Sequence, residues 1–244
     1  IKRHNERRIE EISDKCLLCG KCTAVCQVGV EGDKLRIAQR SLRKYSYSPD
    51  YTNIDVNTLK NSDNIFVSTN NNNVSNIGNE RILYFKGCMT SLTSGIAESM
   101  TNILKKVHAD YRIMDEDGGI CCGRPMLMAG RIEQAKQMVE KNTELIRQSG
   151  ADILLLSCPI CYKIFKEKYS LDGIEILHHI EYIDRLIRNG KIHVKQKDIR
   201  YAYHDPCELG RGCNIYEEPR RVVSSAGELV EGVKHSKESI CCGG

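Results

Sequence analysis

"ADILLLSCPIC", residues 151–161, sets an unbroken apolar run against a cysteine, a proline and a second cysteine. A strand covered on one face alternates apolar and polar side chains. A strand covered on both faces reads instead as a continuous apolar run, as here. Pro159 suits the first turn of a helix, where its missing N–H would have found no partner. Strand, cysteine, helix is therefore the expected order, and it recurs on either side. "RILYFKGC" (81–88) is an apolar run that ends at Cys88, and "SLTSGIAESMTNILKKV" (91–107) follows with helical spacing. "ADYRIM" (109–114) is a further strand, and Gly118 and Gly119 lead from it into Cys121 and Cys122. "RIEQAKQMVEKNTELIRQSG" (131–150) is a helix stopped by Gly150, and "HHIEYIDRLIRNGKI" (178–192) is another, which His178 and His179 open or cap. "IRYAYHDPC" (199–207) repeats the run from strand to cysteine. The alternation predicts an α/β fold with parallel sheets and flanking helices. In such sheets ligands bind beyond the carboxyl ends of the strands, and Cys88, Cys158 and Cys207 fall at those ends.

Thirteen cysteines in 244 residues far exceed ordinary usage. Secreted disulfide scaffolds are short, carry export signals and use an even count. This chain shows no signal-like start, and its cysteines cluster, so metal or iron–sulfur sites are expected. It has no apolar run of about 18 residues that could cross a membrane. A net charge of +4, with Lys and Arg interleaved among Asp and Glu, argues against a nucleic-acid surface. The chain starts at Ile1 rather than Met and ends on "CCGG", so it reads as a fragment.

"CLLCGKCTAVC" (16–26) spaces Cys16, Cys19, Cys22 and Cys26 as C-x2-C-x2-C-x3-C, the run of bacterial ferredoxins. A four-cysteine zinc site would normally separate two pairs, so a 4Fe–4S cluster is expected. Gln27 stands where that run usually has proline, and no second run follows. In a two-cluster module the partner motif would precede Ile1, and Cys26 would serve that partner. The charged segment before Cys16 and "RIAQRSLRKY" (36–45) read as helices. Residues 61–79 hold eight Asn and read as a linker or surface loop.

Cys88, Cys121, Cys122, Cys158 and Cys161 form a second set. The interval from Cys88 to the pair at Cys121 is 33 residues, and from Cys207 to the pair at Cys241 it is 34, so the chain contains a repeat. In a second copy the C-x-x-C would fall about 120 residues beyond the first, near residue 280. A disulfide between adjacent cysteines closes a strained ring, and five ligands overfill a tetrahedral structural zinc site. Adjacent Cys121 and Cys122 can bind different irons, which suits an open or split cluster better than a compact cube.

These residues resemble the cysteine-rich CCG family. It includes the B-type and D-type subunits of heterodisulfide reductase, the iron–sulfur subunits of anaerobic glycerol-3-phosphate dehydrogenase and of lactate and glycolate oxidation systems, and components of membrane complexes linked to sulfite reduction. "YHDPCELGRGCNIYEEPRRVV" with "SICCGG" looks like the second CCG copy of the D-type branch. The likeness covers residues 80–244 and, by motif, residues 10–30. It implies a small α-helical ferredoxin-type iron–sulfur module (1–60), an Asn-rich linker (61–80), a first α/β CCG domain (81–195) and the start of a truncated second one (196–244). It further implies a noncubane 4Fe–4S cluster on Cys88, Cys121, Cys122, Cys158 and Cys161. Cys207, Cys241 and Cys242 match three of the five positions of another such set. Cys213 matches none.

The function so implied is that of an iron–sulfur oxidoreductase subunit. Electrons would pass from the ferredoxin-type cluster to noncubane clusters that reduce or form a disulfide-type substrate. A second reading is a pure electron-transfer subunit between a flavin dehydrogenase and a quinone or carrier. A third, a structural zinc module, fits the cysteines less well. No Gly-rich nucleotide fingerprint follows a strand, so flavin or nicotinamide would sit on a partner, and flavin- or haem-containing redox subunits are the partners expected. With no membrane span of its own, the protein would be cytoplasmic or peripheral on the cytoplasmic face, docked to a membrane complex. His204, just before Cys207, is a candidate proton donor to a leaving thiolate, or else a group that holds the Pro206–Cys207 turn with Asp205. Gly123 and Gly243 would let the backbone pass close to a cluster. Lys86 and Arg124 would offset cluster charge or lie solvated.

Overall fold

The computed structural model describes residues 2–42, 80–88, 94–116 and 120–243. The Asn-rich stretch, Gly118 and Gly119 lie outside the described residues. The first cysteine run lies between α1 (Lys2–Lys15) and α3 (Gly32–Ser41) and contains the short α2 (Lys21–Val25). Then β1 (Arg81–Phe85), α4 (Ser94–Lys106), β2 (Asp110–Ile113), α5 (Arg124–Met128), α6 (Ile132–Gln148), β3 (Ile153–Leu156), α7 (Pro159–Lys168), β4 (Glu175–His178) and α8 (His179–Arg188) follow in chain order. These strands form one parallel sheet in the order β2-β1-β3-β4. A separate parallel pair joins β5 (Arg200–Tyr203) to β6 (Glu228–Glu231), with α9 (Gly210–Cys213) and α10 (Glu217–Ala226) between them and a 3-10 turn, Ser236–Glu238, after them. The fold is α/β with parallel sheets, as the alternation predicts.

The four-stranded sheet is covered on both faces, which explains its unbroken apolar runs. Ile82, Tyr84, Ile153 and Leu155 face Met100 and Leu104 of α4 and Tyr182 and Leu186 of α8. Leu83, Phe85, Leu154 and Leu156 face Met126, Met138, Ile146 and Phe165 on the opposite side. Each fully buried side chain of this size stabilises the fold by about 1.5–3 kcal/mol. Strand order reverses between β1 and β3, because β2 lies on one side of β1 and β3 on the other. That switch point is where a doubly wound sheet opens a crevice at its carboxyl end, and the runs leading to Cys88 and Cys158 end there.

Two strands escape a reading of the sequence alone. β4 is an edge strand that passes directly into α8. His178 is both its last residue and the cap of the helix, taking the Ile180 N–H on Nδ1 at 3.4 Å while Glu181 takes the His178 N–H at 2.8 Å. β6, "ELVE", is short and half exposed, with no apolar run to mark it. Among the described residues no helix is long and apolar enough to cross a membrane.

Candidate functional site

Each sulfur of the central site is delivered by a turn at a strand end. β1 stops at Phe85, and Asp115 takes the N–H groups of Lys86 at 2.9 Å and Gly87 at 2.7 Å, folding the chain toward Cys88. Burial pushes the Asp115 carboxyl above its ordinary range in spite of those donors. Gly87 has φ +86, and a Cβ there would sit 3.2 Å from Cys158 Cβ and 3.3 Å from Cys161 Sγ. A side chain at 87 would therefore be both strained and pressed into the sulfurs. β3 delivers Cys158 as the residue before α7, and Cys161 lies one turn into that helix, so C-P-x-C places both sulfurs at a helix start.

Cys121 and Cys122 are held from behind. The Asn142 amide donates to the Cys121 carbonyl at 2.8 Å and to Tyr169 Oη at 3.0 Å, and Tyr169 Oη donates to the Cys122 carbonyl at 3.0 Å. Cys121, Cys122, Cys158 and Cys161 are all buried, and Cys161 Sγ lies 3.3 Å from Cys122 Sγ. The thiols of Cys121 and Cys161, together with the Arg124 N–H and the Arg124 charge, hold Cys122 well below an ordinary thiol pKa despite its burial. Cys122 is thus the sulfur most readily present as thiolate, the form that binds metal. Cys88 is exposed at the rim and acts on Cys121 through charge.

The other two cysteine groups meet each other. In the N-terminal loop Cys26 Sγ accepts the Val30 N–H at 3.2 Å, and the N–H groups of Val30, Val28 and Gly29 lower its pKa. Arg211 of α9 donates from Nε to the Cys19 carbonyl at 3.0 Å and from Nη1 to the Ser239 carbonyl at 2.7 Å. Lys21 Nζ reaches the Glu238 carbonyl at 2.8 Å. The loop carrying Cys16, Cys19, Cys22 and Cys26 therefore rests on the segment that leads to Cys241 and Cys242. Cys207 Sγ and Cys241 Sγ stand 4.0 Å apart, and burial, then Cys241, pushes Cys207 up to about 12. Cys242 is exposed.

Around Cys207, Asp205 is the frame. It is buried, takes both Nη groups of Arg220 at 2.8 and 2.9 Å, and takes the Ser236 N–H at 2.7 Å. His204 Nε2 lies 2.8 Å from the Ile240 carbonyl, beside Cys241. Cys213 packs against the main core, and burial raises it to about 12.

The sulfurs thus come in close pairs. Two thiolates bound to one tetrahedral metal at about 2.3 Å stand about 3.8 Å apart. The pairs Cys122–Cys161 and Cys207–Cys241, at 3.3 and 4.0 Å, are near that spacing. Among the described residues no three His, Cys, Asp or Glu side chains form a site for a single metal ion. A donor set of buried pairs with one rim cysteine fits a multi-iron group, in which different irons take different thiolates. Arg124 differs from the solvated alternative: it is 2 % exposed, donates from Nη2 to Glu208 at 2.9 Å, and leaves its buried Nε unpartnered among the described residues. Sequence alone could not find Asp115, Asn142, Tyr169 or Glu208, since their partners lie tens of residues away.

Comparison with known proteins gives the site its context. The cysteine-rich CCG domain matches residues 82–166 and 201–244, more than half of the chain. The B subunit of a fumarate reductase (CoM/CoB) from Methanothermobacter marburgensis is 28% identical over 96% of this chain and 48% of its own length. The D subunit of a dihydromethanophenazine:CoB–CoM heterodisulfide reductase from Methanosarcina acetivorans is 26% identical over 98% of this chain and 64% of its own length. An EtfAB:quinone oxidoreductase from Syntrophomonas wolfei is 28% identical over 66% of this chain and 23% of its own length. The chain thus spans between about a quarter and two thirds of these relatives. No solved structure matches it. Both matched segments carry a parallel strand pair followed by Cys-Cys-Gly, and the chain belongs to the cysteine-rich CCG domain family.

Proposed function

We propose that the protein is an iron–sulfur oxidoreductase subunit that transfers electrons to or from a disulfide-type substrate. The observation that carries this is the gathering of Cys121, Cys122, Cys158 and Cys161, buried at the carboxyl end of the sheet, with Cys88 at the open rim. Cys88, Cys121, Cys122, Cys158 and Cys161 would hold a noncubane 4Fe–4S cluster. Cys16, Cys19, Cys22 and Cys26 would hold a ferredoxin-type 4Fe–4S cluster, and Cys207, Cys241 and Cys242 would contribute to a second CCG site. The domain pattern so proposed is a helical iron–sulfur module, a linker, one CCG domain and the start of a second. Such clusters supply single electrons. Cleaving a disulfide consumes two electrons and two protons and yields two thiols, so a flavin- or haem-bearing partner subunit is the expected electron source.

The chain's own residues prepare that chemistry. Burial keeps water from four of the central sulfurs. Gly87 leaves the cradle free of a side chain, and Arg124 brings positive charge against Cys122. His204, held to Ile240, is proposed to donate a proton to a leaving thiolate beside Cys207. Docking to a membrane complex would place the protein on the cytoplasmic face. An electron-carrying role toward a quinone is the second reading, favoured by the likeness to a relative named for quinone reduction. EPR of the oxidised protein with and without a thiol ligand separates the two. A new signal that appears only with thiol supports a disulfide-type substrate, and a spectrum indifferent to thiol leaves the electron carrier.

A further inference from the structure

A chain of polar groups with a buried centre joins residues that lie close in sequence to all three cysteine groups. Thr23, beside Cys22, donates its hydroxyl to Asp33 at 2.6 Å. Asp33 lies 3.9 Å from Lys163 Nζ, two residues past Cys161. Lys163 Nζ lies 2.9 Å from Glu208 Oε2, and Glu208 directly follows Cys207. Glu208 Oε1 accepts from Arg124 Nη2 at 2.9 Å, and Arg124 is two residues past Cys122. The side chains of Arg124, Lys163 and Glu208 are 2 %, 7 % and 9 % exposed.

Desolvation makes such an arrangement costly unless the charges compensate one another. Glu208 is the carboxylate that answers both buried cations. Salt screens exposed charges within about 10 Å, but buried charges interact over longer distances at a lower effective dielectric. Charges so placed act on the groups beside them more strongly than exposed charges would.

We propose that Glu208 is a positioning residue that couples the three cysteine sites electrostatically, setting the reduction potentials of more than one of them. The proposal rests on the iron–sulfur reading above. The sign follows from charge. Reduction adds an electron to a site, so removing a nearby negative charge favours the reduced state and raises the potential. Removing a positive charge lowers it.

The test is an EPR-monitored redox titration of the protein purified without oxygen, with iron and acid-labile sulfide measured on each sample. Glu208→Gln keeps the shape and removes the charge. Its expected result is unchanged iron content with an upward shift in the midpoint potential of at least two distinct signals. Lys163→Gln is expected to shift the same signals downward, and it replaces Glu208→Gln as the decisive variant should the latter lose iron. Potentials that stay at wild-type values in an iron-replete variant, or that move at one site only, overturn the proposal. Failure of the iron–sulfur reading itself is separate: it would appear as little iron in the wild-type protein.

Discussion

Gly123 and Gly243 each follow a Cys-Cys pair and hold nearly the same left-handed backbone, φ +86 and +88. Beyond that turn the two regions differ. A Cβ at Gly123 would meet the Ala135 carbonyl of α6 at 3.3 Å, whereas at Gly243 nothing lies within 4 Å. Cys121 and Cys122 are buried, while Cys241 is half-buried and Cys242 exposed. The first pair sits against a four-stranded sheet clad on both faces, and the second against a two-stranded sheet with half-exposed strands. The motif thus dictates the local turn, and in the first region the sheet and α6 packed behind it keep the sulfurs dry.

The largest expected contrast concerns metal loading. Cys122→Ser removes the buried sulfur on which two thiols and a backbone N–H converge, and it should abolish loading of the central site. Cys242→Ser removes an exposed sulfur and should leave the central site's iron and spectrum intact. Equal losses from both variants would erase the distinction between the regions.

A second contrast is in pH. Burial drives His179 down to about 4 from 6.5 and holds its neighbour His178 well below the usual range, the two rings lying where β4 passes into α8. The folded state keeps His179 neutral while the unfolded chain takes up a proton below about pH 6.5. Its contribution is therefore present above about pH 6.5 and is lost as pH falls toward 4, on the order of 3 kcal/mol in all. Denaturant midpoints across this window should fall less steeply in His179→Gln than in wild type. Identical slopes would place the acid sensitivity elsewhere.

The smallest effect is also the sharpest comparison. An alanine in the left-handed region costs about 1–2 kcal/mol. Gly243→Ala should show that cost alone, while Gly123→Ala adds a squeeze against α6. Thermal unfolding should rank Gly123→Ala below Gly243→Ala, and the reverse order would mean that the two turns are not packed as described.

Much of this was legible before any coordinates. The run "ILLL" (153–156) has no polar interruption because both faces of β3 are covered, and the cysteine after it falls in the crevice for the same topological reason. The repeated Cys-Cys-Gly spacing marks the family to which the chain belongs. What stayed hidden depends on distance along the chain. Arg124 and Glu208 are 84 residues apart, so nothing local marks either as buried. β4 and β6 are four residues long and each starts at a glutamate, so neither offers a run long enough to stand out. Asp205 shows the middle case: its place before Pro206 suggests a turn, but only the fold reveals Arg220 as the partner that holds it.

The most direct test of the central claim is the iron, acid-labile sulfide and zinc content per chain of the protein purified without oxygen. Two four-iron groups on this chain give about eight irons with matching sulfide and no zinc. About four irons, with zinc accounting for the remaining cysteines, would contradict a redox role for the CCG site and leave one electron-carrying cluster on a zinc-stabilised scaffold.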